Sequence, residues 1–203
     1  MFGKGKTDTV STTIAVRRAN LGDLRALEIL LMKGHEESEM LPPPDIAHAY
    51  HTAINMIQAG MVFVATEIDA DKKRELVVGT LMLDGKTYAW NPEVTIIESV
   101  HFYVLPEYRA RSINSGTPAR LNGMPVWRAL LEAGKDLSTA ASEVHGKTIP
   151  FRCESFFSAK ADNRAEAKDE LFKQAGFAYT GGNFIFFPPP TSDEQAAADN
   201  KAA

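Results

Sequence analysis

The stretch 95–131, TIIESVHFYVLPEYRARSINSGTPARLNGMPVWRALL, restricts the fold more than any other part of the chain. It opens as a strand in which Ile97, Ser99, His101 and Tyr103 alternate with Glu98, Val100, Phe102 and Val104. Glu98 therefore shares a face with apolar side chains and is expected to be partly buried, while His101 falls on the opposite face. Leu105-Pro106 ends the strand, because proline has no N–H to give to a ladder. A basic turn with Arg109 and Arg111 comes next, then a polar stretch broken by Gly and Pro. A helix opens near Gly123-Met124-Pro125 and carries Val126, Leu130, Leu131 and Leu137 along one side. A strand that delivers a carboxylate, followed by arginines and a helix N-terminus, can hold a phosphate-bearing molecule beside a base.

Around this stretch the chain alternates between the two hydrophobic periods. Residues 13–18 read as a first strand with Ile14 and Val16 inward, followed by Asn20 and Asp23 as a capping pair and by the helical stripe Leu24, Leu27, Leu30, Leu31. That helix runs into His35, Glu36, Glu37 and Glu39 and stops before Pro42-Pro43-Pro44. A second helix, 45–59, opens on Asp45. Residues 61–68 and 75–83 are strands joined by a polar connection, and the link 84–93 leads into the strand at 95–104, which makes an antiparallel meander. The helix 125–143 connects to a fifth strand at 148–157, expected parallel to the fourth because a helical crossover joins them. A helix at 163–174 closes on Gly176 as a left-handed cap, and 183–187 supplies the last strand. A single domain at 13–187 is expected, between a disordered arm at 1–12 and a disordered tail at 188–203.

With 203 residues and ordinary apolar and charged fractions, one domain with a substantial core is the natural solution. The net charge of −4 gives no basic field, which argues against nucleic acid as the main partner. No apolar run approaches the roughly 20 residues needed to cross a bilayer, so no membrane association is expected. The lone Cys153 cannot form an internal disulfide or a zinc cluster, as suits a reducing cytoplasm, and reads as a core residue. Trp90 and Trp127 read as packing residues, and the histidines show no metal-ligand spacing.

The run Val104-Leu105-Pro106-Glu107-Tyr108-Arg109 resembles the V-x-P-x-Y-R end of the fourth strand in GNAT acyltransferases. The opening Val16-Arg17-Arg18-Ala19 and the ending Leu171-Phe172-Lys173-Gln174-Ala175-Gly176-Phe177 are similar to the start and close of that domain. The resemblance implies an α/β fold of GNAT type: a mixed, twisted sheet of about six to seven strands, splayed between strands 4 and 5, with helices on both faces. It also implies acetyl-CoA as co-substrate and an amine acceptor, small molecule or protein. The family's R-x-x-G-x-G turn falls on Arg109-Ala110-Arg111-Ser112-Ile113-Asn114, where Ser112 and Asn114 replace both glycines. Cofactor contacts are accordingly expected from Tyr103, Val104, Arg109, Arg111, Ser112 and Asn114, and from Asn163 at the start of the late helix. The amide near Val104 is expected to polarise the thioester carbonyl at a bulge like that of the family's strand.

Glu98 aligns with a strand position that often carries a glutamate in the family and is the candidate general base. Where family members carry a tyrosine as proton donor, this chain has Phe172. Tyr103, Tyr108, Tyr179, Ser155 or water then has to protonate the leaving thiolate. These departures also leave open a second class, a GNAT-like module without turnover that binds a protein partner.

Overall fold

In the computed structural model of the protein, the described residues are 12–38, 43–69, 74–88, 91–115, 119–154, 170–179 and 183–191. Asn163 and Ser155, Trp90, most of the late helix expected at 163–174, and nearly all of the expected arm and tail lie outside them. Among the described residues, seven strands form one sheet in the order β1-β2-β3-β4-β5-β7-β6. They are β1 (Thr12–Arg18), β2 (Val62–Asp69), β3 (Arg74–Tyr88), β4 (Asn91–Val104), β5 (Phe151–Glu154), β6 (Ala178–Tyr179) and β7 (Asn183–Phe186). The helices are α1 (Leu24–Ser38), α2 (Ile46–Gln58) and α3 (Val126–His145).

β1 to β4 pair antiparallel, as their short connections require, and β4 pairs β5 in parallel across the α3 crossover. Two strands exceed the sequence expectation. The link expected at 84–93 is the end of a long β3–β4 hairpin, with Lys86 opposite Ile96 and Tyr88 opposite Asn91. β5 begins at Phe151, three residues later than expected, and β6 was not foreseen at all. The capping residues act as anticipated: Asn20 and Asp23 form a reciprocal capping box ahead of α1, and Asp45 accepts from the His48 amide at 3.0 Å. Gly176 takes φ +84°, the left-handed close to the helical stretch 170–174.

The two faces of the sheet are covered differently. On one, α3 lies so close that a Cβ on Gly134 would sit 2.7 Å from Phe151 Cε1 and 3.1 Å from Leu81 Cδ2, so only glycine fits. On the other, Gly34 of α1 packs directly on His101 and Tyr103, within 3.1 and 3.3 Å of where its Cβ would be. The core fills the space between these layers and includes Phe151 and Cys153, neither of which is exposed.

Candidate active site

β4 and β5 pair over only Ile97–Phe151 and Glu98–Arg152. Beyond Glu98, β4 continues to Val104 with no further pairing to β5 among the described residues, so the sheet opens into a fork with Glu98 at its apex. Past Glu98 no described strand is paired to this edge of β4, an arrangement that can receive an extended ligand. The pairing of β4 with β3 slips between Leu83–Ser99 and Met82–His101, leaving Val100 as an extra, 41 % exposed residue on β4. The bulge is therefore at Val100 and not near Val104.

This extra residue reverses an expectation from the sequence. Glu98, His101 and Tyr103 stand opposite Asp84, Met82 and Thr80, alternate positions of a regular stretch of β3. All three therefore share the α1 face, and His101 is not on the side opposite Glu98. His101 stacks against Tyr103 with ring centroids 6.3 Å apart, and its Nε2 is buried without a hydrogen-bond partner. Burial pushes its pKa down to about 4.

Because the unfolded chain holds a proton on this imidazole up to about pH 6.5, the folded protein binds fewer protons between pH 6.5 and 4. Its contribution is complete above that window and is lost as pH falls through it, about 3 kcal/mol in all. Urea unfolding between pH 7 and 4.5 is expected to show this slope in the wild type and a flatter profile in His101→Gln.

Glu98 is 8 % exposed. Its Oε1 accepts from Arg152 Nη2 at 2.5 Å, and Lys86 Nζ lies 3.5 Å from Oε2. The carboxylate is thus held by two cations, on β5 and β3, at the point where the strands part. Further up the fork, the Tyr103 hydroxyl donates to Glu37 Oε1 at 2.6 Å, and Arg109 Nη2 donates to Glu37 Oε2 at 2.7 Å. Burial raises the pKa of Glu37, but these two donors outweigh it and hold the carboxyl below its usual range. Burial, then Glu37, drives the Tyr103 hydroxyl far above its ordinary pKa. Arg109 Nε also donates to the Val104 carbonyl at 2.9 Å, so α1, β4 and the basic turn are tied together here.

The second arginine is held in the same way. Arg111 Nη1 lies 2.8 Å from Glu67 Oε1, and the Tyr108 hydroxyl donates to Glu67 Oε2 at 2.5 Å. Burial, then that carboxylate, pushes the Tyr108 pKa up to about 12. Asn114 completes the edge of β1: its Oδ1 accepts from the Ile14 amide at 2.5 Å and its Nδ2 donates to the Thr12 carbonyl at 2.8 Å. Ser112 is exposed and bridges Pro125, so the segment after the basic turn folds back along the start of α3.

At that start, Pro125 provides no side-chain cap. The second and third amides of α3, Trp127 and Arg128, have no carbonyl four residues back to bond. Arg128, which the sequence reading passed over, has a buried Nε without a partner and an Nη2 3.4 Å from the Gln174 carbonyl. Among the described residues it pairs with no carboxylate, unlike Arg109 and Arg111. An uncapped helix start beside an arginine free of carboxylates fits the phosphates of a CoA-type molecule. In the sequence Arg128 looks like one more polar residue on an amphipathic helix, so only its burial could single it out.

Phe172, in the family's tyrosine position, is 2 % exposed and packs edge-on against Phe177 at 5.5 Å. It is a core residue. No group of His, Cys, Asp and Glu among the described residues could hold a metal ion, and no described helix is long and apolar enough to cross a membrane.

No protein-family model and no curated protein matches the sequence. Solved structures do match the fold. A possible acetyltransferase from Clostridium difficile 630 superposes with a TM-score of 0.53 at 16 % identity, over 83 % of this chain and 94 % of the other. A chain of the NatC complex bound to Gag peptide and CoA gives 0.52 at 12 %, over 86 % and 96 %. AAC(6')-Iy in complex with a bisubstrate analogue, CoA-S-monomethyl-acetylneamine, gives 0.51 at 14 %, over 82 % and 92 %. With a seven-stranded mixed sheet that opens between a parallel β4 and β5, the chain has the fold of the GNAT acetyltransferases, in a form far diverged in sequence.

Proposed function

We propose that the protein is a CoA-dependent N-acyltransferase that moves an acyl group, acetyl first among them, from CoA to an amine by direct attack. The observation that carries this reading is the fork: a bulged β4 that runs on past Glu98 with no further pairing to β5 among the described residues, and a buried carboxylate at the point where the two part. Structural neighbours bound to CoA or to a CoA bisubstrate analogue support it.

The β4 backbone at Tyr103 and Val104 would meet the pantetheine arm. Ser112, the Arg128 side chain and the Trp127 and Arg128 amides of α3 would meet the phosphates, with Arg109 and Arg111 within the same basic turn. Asn114 would hold the turn in place beside the cofactor, its side chain and its amide both being committed to β1. Asn163 keeps its proposed part in holding the pantetheine. Bound there, CoA supplies the activated acyl group. Glu98 would draw in the acceptor as an ammonium ion and take its first proton. Cys153, the one cysteine of the sequence, is buried, which fits action in a reducing cytoplasm.

Arg128→Ala is expected to weaken acetyl-CoA binding about tenfold or more, the worth of a charge-assisted contact to phosphate. Isothermal titration checks this, and unchanged affinity would remove Arg128 from the site. Turnover itself is tested with labelled acetyl-CoA against small amines, amino-terminal peptides and cell lysate, where label should move to an amine.

A second reading, a module that binds CoA or a protein partner without turnover, draws on the buried Phe172 and on the arginines already paired with Glu37 and Glu67. Cofactor binding with no labelled product from any acceptor would favour it.

A further inference from the structure

We propose that the imidazole of His101 carries a proton across the fork, taking it from the acceptor nitrogen as the C–N bond forms and giving it to the CoA sulfur as the C–S bond breaks. This rests on the acyltransferase reading above. The structure poses the problem that the step solves. The expected thiolate donor is a buried phenylalanine, and the hydroxyls of Tyr103 and Tyr108 both donate to carboxylates, Glu37 and Glu67.

His101 is placed for the task by the bulge at Val100, which turns it onto the α1 face with Glu98, on the part of β4 that continues past the described pairing with β5. Gly34 makes room for its ring beneath α1, where a Cβ would press to 3.1 Å from His101 Cε1. Its Nε2 is buried and unbonded, a cost of about 1–3 kcal/mol for a polar group that serves packing alone. With the hydrogen on Nδ1, Nε2 offers a lone pair.

The ring must start neutral to accept a proton, and burial keeps it so at neutral pH. Three carboxylates on α1 and β4 already have hydrogen-bonding or cationic partners. Glu37 of α1 is held by Tyr103 and Arg109, and Glu98 on its own strand is held by Arg152 and Lys86. Glu28, which shares a small cavity with Met82 beneath α1 and α2, is held by Arg25 and Tyr50. None offers His101 a permanent counter-ion, so a proton placed on it passes on readily.

The atoms balance without another reactant. An ammonium acceptor loses its first proton to Glu98 and then to solvent. Its nitrogen loses a second proton to His101 Nε2 while bonding to the acyl carbon. The sulfur leaves with the C–S electron pair and takes that proton, so imidazole ends as it began and CoA departs as the thiol.

The test has two arms. His101→Gln should lower kcat about 100-fold or more, the scale of lost acid–base catalysis, while its affinity for acetyl-CoA by titration stays within about twofold of wild type. In the wild type, NMR of labelled histidine should show the His101 ring nitrogens shifting when CoA is added, and shifting less with desulfo-CoA, which has no sulfur. Wild-type kcat in the variant, or ring nitrogens indifferent to the sulfur, would overturn the proposal and leave the acyltransferase reading standing. Wild-type protein that binds no CoA would overturn both. If His101→Gln does not fold, the NMR arm on wild type decides alone.

Discussion

Phe151→Ala is expected to destabilise the protein by about 3–5 kcal/mol, the usual cost of removing a buried aromatic ring from a core that cannot collapse around the gap. Phe151 has no exposed surface. It lies edge-on to Phe177 at 5.5 Å and fills the space that Gly134 leaves in α3. As the partner of Ile97 it also forms half of the short ladder that closes the fork. The complementary change makes the same point from the helix. Gly134→Ala should cost about 1–3 kcal/mol through overpacking, although alanine is the better helix former by about 1 kcal/mol. Equilibrium urea unfolding reads both, and a loss below about 1 kcal/mol for Phe151→Ala would contradict the packing described here.

Glu98→Gln should lower kcat by about 100-fold or more while leaving acetyl-CoA affinity nearly unchanged, since the amide can neither take a proton nor attract an ammonium ion. The substitution also leaves Arg152 and Lys86 facing a neutral group, and a partly buried cation without its counter-ion destabilises the fold. The two effects separate in a pair of variants. Adding Arg152→Gln to Glu98→Gln should recover part of the lost stability and none of the lost turnover. If turnover returned with stability, Glu98 would be a structural anchor and not a participant in the chemistry.

What the sequence made legible follows the strength of its local signals. Pro106 ends β4 where expected, Asp45 caps α2, and Gly176 closes the late helical stretch, because each residue type is nearly obligatory for its backbone task. The fork could be anticipated from the V-x-P-x-Y-R run and the crossover helix. Other features have no such signal. Val100 is an ordinary β-branched strand residue, so a period-two pattern cannot reveal it as an extra one, and that one residue moves His101 to the working face. Gly85, Asn91 and Pro92 mark 84–93 as a link in the sequence, yet they lie on β3 and β4 in the long hairpin, and nothing comes within 4 Å of where a Gly85 Cβ would point. The pairing of Arg109 with Glu37 and of Arg152 with Glu98 spans 72 and 54 positions, a relation that only the fold creates. Those pairings decide which cations remain to meet a phosphate.

The most direct test of the central claim is a crystal structure grown with acetyl-CoA, supported by titration of the same protein. The expected result is one molecule per chain, with its pantetheine between β4 and β5 above Glu98 and its phosphates at the start of α3 near Arg128. No binding at millimolar concentration, or a ligand seated away from a fork that stays closed to it, would contradict the assignment of this fold to acyl transfer.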